Sequence, residues 1–238
     1  MPGRLEGNIA LVSGSTQGFG RGILETFVRE GAVVLGLDLQ ATDGPVDGYS
    51  ENAAYQIKAN VAEEETRDLH IKVRQSSVNC RSQCRLVVPQ QSGLDVTVEE
   101  FDRLFNVNVR SIYLASKVLI PEMKKNGPGS TVVISSENAI RPGGGLLGHK
   151  VDGLGICQDQ LRFNTICPTS GNTPLLNKFA GIADGPVPAE IIKAKCESIP
   201  IGRLVEPSDV ANVALFLAEP ASSIISGVEI LVDGARCV

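Results

Sequence analysis

Hydrophobic and polar positions along the chain mark out strands and helices in turn. Residues 9–12 form a short apolar run, after which Ile23, Leu24, Phe27 and Val28 recur at the spacing of one helix face and Gly31 follows as a stop signal. Residues 33–37 read as a second buried strand, with Asp38 at its carboxyl end. Residues 40–50 are polar and hold Gly and Pro, which predicts a loop; residues 55–61 read as a third strand and residues 63–73 as a polar helix with acids in its first turn. The order β-α-β-loop-β-α predicts a single-domain α/β fold with a doubly wound parallel sheet.

The pattern resumes at Thr97, which with Glu100 makes a capping box at the start of a long apolar helix through Phe101, Leu104, Phe105, Val107, Val109, Tyr113, Leu114 and Val118 to Pro121 and Met123. Asn106 and Asn108 are embedded in it, and the plain reading of such an Asn is a satisfied core amide. Residues 131–134 predict a strand that delivers Ser135 and Ser136 to its carboxyl end, the edge where open parallel sheets bind ligands. Residues 141–148 read as a glycine-rich loop, 161–167 as a strand, 210–217 as a helix after Pro207-Ser208-Asp209, and 228–232 as a last strand. Two stretches break the pattern. In residues 76–91, where a fourth core strand is due, only Leu86–Val88 is apolar before Pro89. Residues 148–158 carry three glycines and no apolar face where a parallel crossover needs a helix.

Gly14, Gly18 and Gly20 follow the first strand in a Gly-x-x-x-Gly-x-Gly spacing and open the first helix. Such glycines permit a tight turn, close approach of backbone N–H groups to a pyrophosphate, and close helix packing, with the pyrophosphate at the positive end of the helix. Asp38 stands eighteen residues past Gly20, placed to accept hydrogen bonds from an adenosine ribose, and its charge would repel a 2′-phosphate, so NAD is favoured over NADP. Residues 169–188 would then be a Gly/Pro loop serving as a lid over the cofactor.

Bulk properties narrow the classes. The 238 residues fit one α/β domain, and the 42% hydrophobic content supports a large core. A net charge of −5 argues against a nucleic-acid surface. No apolar leader or long apolar run is seen, so a soluble, cytoplasmic protein without a membrane partner is expected. Cys80, Cys84, Cys157, Cys167, Cys196 and Cys237 lack paired spacing, and Cys80 and Cys84 have no His or second pair to complete a metal site. Incidental thiols and no metal are expected.

These pieces together resemble the short-chain dehydrogenase/reductase family over nearly the whole chain. The likeness rests on Ser13-Gly14-x-x-x-Gly18-Phe19-Gly20, Asp38, Asn60-Val61, Phe105-Asn-Val-Asn108-Val, Val132-Val-Ile-Ser-Ser136, Asn164-Thr-Ile-Cys-Pro168 with Thr173-Pro174, and Ser226-Gly227 with Val232-Asp-Gly234. The resemblance implies a Rossmann-type fold, a nicotinamide cofactor and interconversion of a small alcohol and ketone. It implies cofactor contacts from Ser13, Gly14, Ser15, Gly18, Phe19, Gly20, Asp38, Asn60, Val61, Pro168 and Thr173, catalytic roles for Ser136 and Asn108, and a dimer or tetramer formed by the 97–123 helix and the crossover helix.

The family's Tyr and Lys are missing. Thirteen residues beyond Ser136 stands His149, and four further Gly153; no Tyr-x-x-x-Lys occurs anywhere. His149 is a substitute proton donor or an exposed loop residue. The family's Asn-Ala-Gly turn is missing too. Both losses share one explanation. Reading the codons of residues 76–87 one nucleotide later permits Ala-Ala-Ser-Ile-Val-Val-His-Asn-Ala-Gly-Trp-Ser, a strand and the missing turn. The same shift over 148–158 permits Ala-Thr-Lys-Ser-Met-Ala-Leu-Glu-Tyr-Ala-Lys, like the second half of the crossover helix, with about ten further residues dropped. Two out-of-frame segments, or alternatively a diverged homologue with remodelled loops, account for the departures, and the function is either that of an alcohol/ketone oxidoreductase or that of a dinucleotide-binding chain without a proton donor.

Overall fold

The computed structural model describes residues 2–63, 78–83, 95–139, 160–182 and 185–238, with 78–83 and 139 described by their backbone alone. Several expectations fall outside these residues: the 63–73 helix beyond Glu63, the apolar triplet 86–88, the 141–148 loop, and the 148–158 segment with His149 and Gly153.

Eight strands form one sheet in the order β3-β4-β2-β1-β5-β6-β7-β8. They are β1 (Ile9–Ser13), β2 (Val33–Asp38), β3 (Gly44–Pro45), β4 (Ala54–Lys58), β5 (Val78–Gln83), β6 (Gly129–Ile134), β7 (Leu161–Pro168) and β8 (Glu229–Val232). All neighbours run parallel except the two-residue β3, which pairs antiparallel to β4. The chain order reverses between β1 and β5, and the crevice at the carboxyl ends of these strands is the ligand-binding edge of an open sheet.

The helices cover both faces. On one, α1 (Gly18–Arg29) contributes Ile23, Leu24 and Phe27, which pack with Val210, Ala211, Ala214 and Leu215 of a late helix, Pro207–Ala218, over Ala10, Val12, Val132 and Ile166. On the other, α2 (Val98–Phe105), a π-helical turn (Asn106–Arg110) and α3 (Ser111–Asn126) run on from one another, and Leu119, Ile120 and Met123 bury against Leu11, Leu37 and Ile57. Thr97 caps α2 as expected, its hydroxyl accepting from the Glu100 N–H at 3.2 Å. The remaining helices are α4 (Leu175–Phe179), α5 (Ala189–Glu197) and the late helix, α6 (Pro207–Ala218).

Both ends of α6 are closed by side chains. Pro207 occupies its first turn, and Asp209, held below the usual carboxylate range first by its hydrogen bond to Arg203, accepts from the Glu206 N–H at 2.8 Å. At the other end Arg162 donates to the Leu217 carbonyl at 2.7 Å and to Ser222 Oγ at 2.8 Å, so a cation meets the negative end of the helix.

Four differences from the expected elements have physical reasons. The third strand stops at Lys58 because the chain turns there: the Ala59 N–H donates to the Asp38 carbonyl and Asn60 Oδ1 accepts from the Ala62 N–H, leaving Asn60 and Val61 on a turn. The 40–50 loop contains β3, and the 169–188 loop contains α4, whose five residues are too few for a periodic signal. Helix α5 was not expected, and none of its residues is buried. The fourth strand lies at Val78–Gln83, earlier than the apolar triplet 86–88 suggested. Backbone ladders to β1 on one side and β6 on the other do not depend on side-chain type, and they hold a polar segment in a central slot.

Candidate functional site

The crevice at the β1–β5 reversal is built from the ends of β1, β2, β6 and β7. The Gly14 N–H donates to the Leu37 carbonyl at 2.8 Å, and Gly14 adopts a φ of +68°, which bends the chain sharply into α1. Gly18, at φ +56°, begins the helix, and a Cβ there would lie 3.3 Å from Thr173 Cβ. The helix has no acid in its first turn, so its free N–H groups and positive dipole end face the crevice uncompensated. Among the described residues the buried Ser13 Oγ and Ser15 Oγ have no hydrogen-bond partner, as is also true of Thr131 Oγ1 on β6, and Ser15 Oγ packs against Gly36 of β2. The bare helix end behind the glycine turn is what suits a phosphate ligand.

Asp38 lies at the end of β2, only 7% exposed. Its Oδ2 accepts from Thr16 Oγ1 at 2.9 Å and from the Thr16 N–H at 3.3 Å, and its Oδ1 accepts from the Gln40 N–H at 3.0 Å. Four lone-pair sites on a carboxylate leave capacity for a further donor. The aspartate is thus fixed in orientation by the glycine turn itself. Thr16 was not singled out in the sequence, although its place between Gly14 and Gly18 was the available signal.

The structure brings the second half of the chain onto this turn. Thr173 packs on Gly18, and Gly171 meets the ring of Phe19, where a Cβ would come within 2.3 Å of Phe19 Cζ. Pro168 closes β7. Ser136 follows β6, and its hydroxyl accepts from the Asn138 N–H at 3.3 Å and from Asn138 Nδ2 at 3.5 Å. Asn108 sits within the π-helical turn, an irregularity frequent at functional sites. Asn60 and Val61 lie past β4, with Asn60 Nδ2 donating to Glu63 at 2.6 Å.

Two groups that sequence reasoning passed over, Glu137 and Arg236, meet beside Ser136 in the chain. Glu137 is buried and ion-pairs with Arg236, which also donates to Thr169 Oγ1 at 2.9 Å. Asp233 accepts the N–H groups of Ala235 and Cys237. Glu137, Asp233 and Cys237 place ligand atoms within 4.8 Å of one another, but each carboxylate already has partners. Burial pushes the Cys167 thiol up to about 11, and burial followed by the Asp233 hydrogen bond raises Cys237, so neither is an activated nucleophile.

An open parallel sheet with a glycine turn, a bare helix N-terminus and a fixed acid at the end of the second strand defines a Rossmann-type nucleotide-binding protein. The sequence model described as short chain dehydrogenase matches residues 8–147, and one described as Enoyl-(Acyl carrier protein) reductase matches residues 154–235. This chain belongs to the short-chain dehydrogenase/reductase family, which places it among NAD(P)-dependent oxidoreductases. It is similar to 4-formylbenzenesulfonate dehydrogenase TsaC1/TsaC2 of Comamonas testosteroni, 30% identical over 259 residues covering 98% of each chain. It is also similar to 2,5-dichloro-2,5-cyclohexadiene-1,4-diol dehydrogenase LinX of Sphingobium indicum, at 29% identity over all of this chain and 99% of that one. A crystal structure of 3-ketoacyl-(acyl-carrier-protein) reductase from Brucella melitensis complexed with NADH matches with a TM-score of 0.83 and 29% identity, covering 98% of this chain and 100% of that one. The two family matches break at residues 148–153, inside the stretch without helical pattern. The alignment with TsaC1/TsaC2 spans more positions than the 238 residues here, so the relative carries residues that this chain does not.

Proposed function

We propose that the crevice binds a nicotinamide dinucleotide, NAD in preference to NADP, with Ser13, Gly14, Ser15, Gly18, Phe19 and Gly20 around the pyrophosphate, Asp38 on the adenosine ribose, Asn60 and Val61 on the adenine side, and Pro168 and Thr173 toward the nicotinamide. The observation that carries this reading is the glycine turn that opens on a helix N-terminus bare of acids, together with an aspartate held against that turn by Thr16. When bound, the cofactor supplies hydride exchange with a carbon bearing oxygen. Ser136 then hydrogen-bonds the oxygen of a small alcohol or ketone, and Asn108 supports the site from the helix layer, as the family's pattern implies. The substrate is a small molecule; NADH on the Brucella structure and diol or aldehyde oxidation in the relatives' names fit that class.

A second reading, dinucleotide binding without turnover, is favoured by the missing Tyr-x-x-x-Lys and by the break in the family matches. A cytoplasmic setting is proposed on family grounds; among the described residues no helix is long and apolar enough to cross a membrane. A homo-oligomer is proposed through the α2–α3 face, where Phe101 and Phe105 stack at 4.6 Å and, like Tyr113, stay exposed.

The test is calorimetric titration of the purified chain with NAD and NADP. NAD is expected to bind at least about tenfold more tightly, from roughly 1.4 kcal/mol of repulsion between Asp38 and the 2′-phosphate, and Asp38→Ala is expected to erase the difference. Equal affinities for the unaltered chain would overturn the NAD assignment, and no binding of either would overturn the site.

A further inference from the structure

Residues 233–236 fold back onto the ligand edge of the sheet. Ala235 adopts a φ of +70°, rare for a residue with a Cβ, and the turn is held by Asp233 Oδ1, which accepts the Ala235 N–H at 3.1 Å, and by Asp233 Oδ2, which accepts the Cys237 N–H at 2.8 Å. The turn aims Arg236 across the ends of two strands. One guanidinium nitrogen, Nη1, donates both to Glu137, which follows Ser136 past β6, and to Thr169, which follows Pro168 past β7. Glu137 is only 5% exposed and Thr169 7%, while the Arg236 side chain keeps 34% of its surface exposed, so the bridge is anchored at its buried ends by charge-assisted bonds.

We propose that Arg236 is a positioning residue for the nicotinamide half of the site. The inference rests on the dinucleotide reading above. Asp38 marks the adenosine end on β2, and the sheet order puts β6 and β7 on the far side of the β1–β5 reversal. A dinucleotide spanning the crevice from Asp38 therefore lays its other half over Ser136 and Pro168. Arg236 acts through Glu137 and Thr169, fixing the spacing between the two strand ends that carry them. Nothing comparable reaches the β2 end, where Asp38 is oriented by Thr16 and Gln40 alone among the described contacts.

This separation gives the experiment. NADH carries both halves of the ligand, whereas ADP-ribose lacks the nicotinamide. Affinities of the full chain for both are measured by calorimetry for the unaltered protein, Arg236→Met and Arg236→Lys, with NADH fluorescence as a second report on the nicotinamide and circular dichroism on folding. Arg236→Met is expected to weaken NADH about tenfold or more and ADP-ribose less than twofold, and Arg236→Lys to recover part of the loss. Glu137→Gln keeps the side chain's shape without the charge, and it should show the same split if Arg236→Met proves poorly folded. Equal loss for both ligands, or no loss for either, overturns the positioning role. An unaltered chain that binds neither ligand overturns the dinucleotide reading itself, and this inference with it.

Discussion

Incubated with NADH and a panel of small ketones, the chain is expected to turn over at least about 10²–10⁴-fold more slowly than the ordinary range of roughly 1–10³ per second. The reason is the proton. Hydride delivery to a carbonyl leaves an alkoxide that must be protonated in the same step, and in this family a Tyr with a Lys four residues on supplies that proton. The sequence holds no such pair, and the positions where it is due carry His149 and Gly153. Ser136 can hydrogen-bond the developing oxyanion, but it has no means of donating a proton at neutral pH without a partner of lowered pKa. Substitution of residues 148–158 by a helix-forming segment with Tyr-x-x-x-Lys, with the crossover lengthened, should raise the rate while NADH affinity stays within a few-fold. Ordinary turnover by the unaltered chain would show that another group gives the proton and would end the binding-only reading. An in-frame transcript encoding the residues at 76–91 and 148–158 as they stand would likewise remove the frame-shift explanation.

Phe27→Ala is expected to destabilise the fold by about 3–5 kcal/mol. The ring is fully buried in the cluster where α1 meets α6 and the sheet. For a chain of this size, about 6–20 °C in melting temperature follows, if unfolding is cooperative. The effect should extend to the site. Helix α1 carries the glycine turn at its N-terminus, so looser seating of the helix also displaces Gly18 from Thr173. Dinucleotide affinity should therefore fall along with the melting temperature; a fall in stability alone would mean that the turn is held by its own hydrogen bonds rather than by the helix beneath it.

The parts of the fold that were legible in the sequence are those where side chains decide the structure. The α1 face through Ile23, Leu24, Phe27 and Val28 packs as its spacing predicted, and β1, β2, β6 and β7 fall within a residue or two of the apolar runs that announced them. Where backbone pairing decides, the sequence was silent. Strand β5 has Asn79, Arg81 and Gln83 on a central strand, and nothing in its composition signals the ladders to β1 and β6. Of the candidate site, Gly14, Gly18 and Asp38 were legible because turn geometry and charge demand their residue types, and Thr173 only through the family resemblance. Thr16 and Arg236 were not, because a single hydroxyl or guanidinium that reaches across 22 or 99 residues has no local pattern.

The π-helical turn at Asn106–Arg110 has a consequence for how this helix can change. A π-helical turn takes up one extra residue by widening, so the helix on either side keeps the phase it would have without the insertion. Here the flank before it shows Phe101 and Phe105 to the exterior, and the flank after it buries Leu119, Ile120 and Met123. Loss of a single residue from the turn would let it close to regular winding with both flanks on their present faces, while the residues inside it, Asn108 among them, would be re-aimed. The helix can in this sense lose its bulge without losing its packing, and what such a deletion would touch is the bearing of the residues at 106–110.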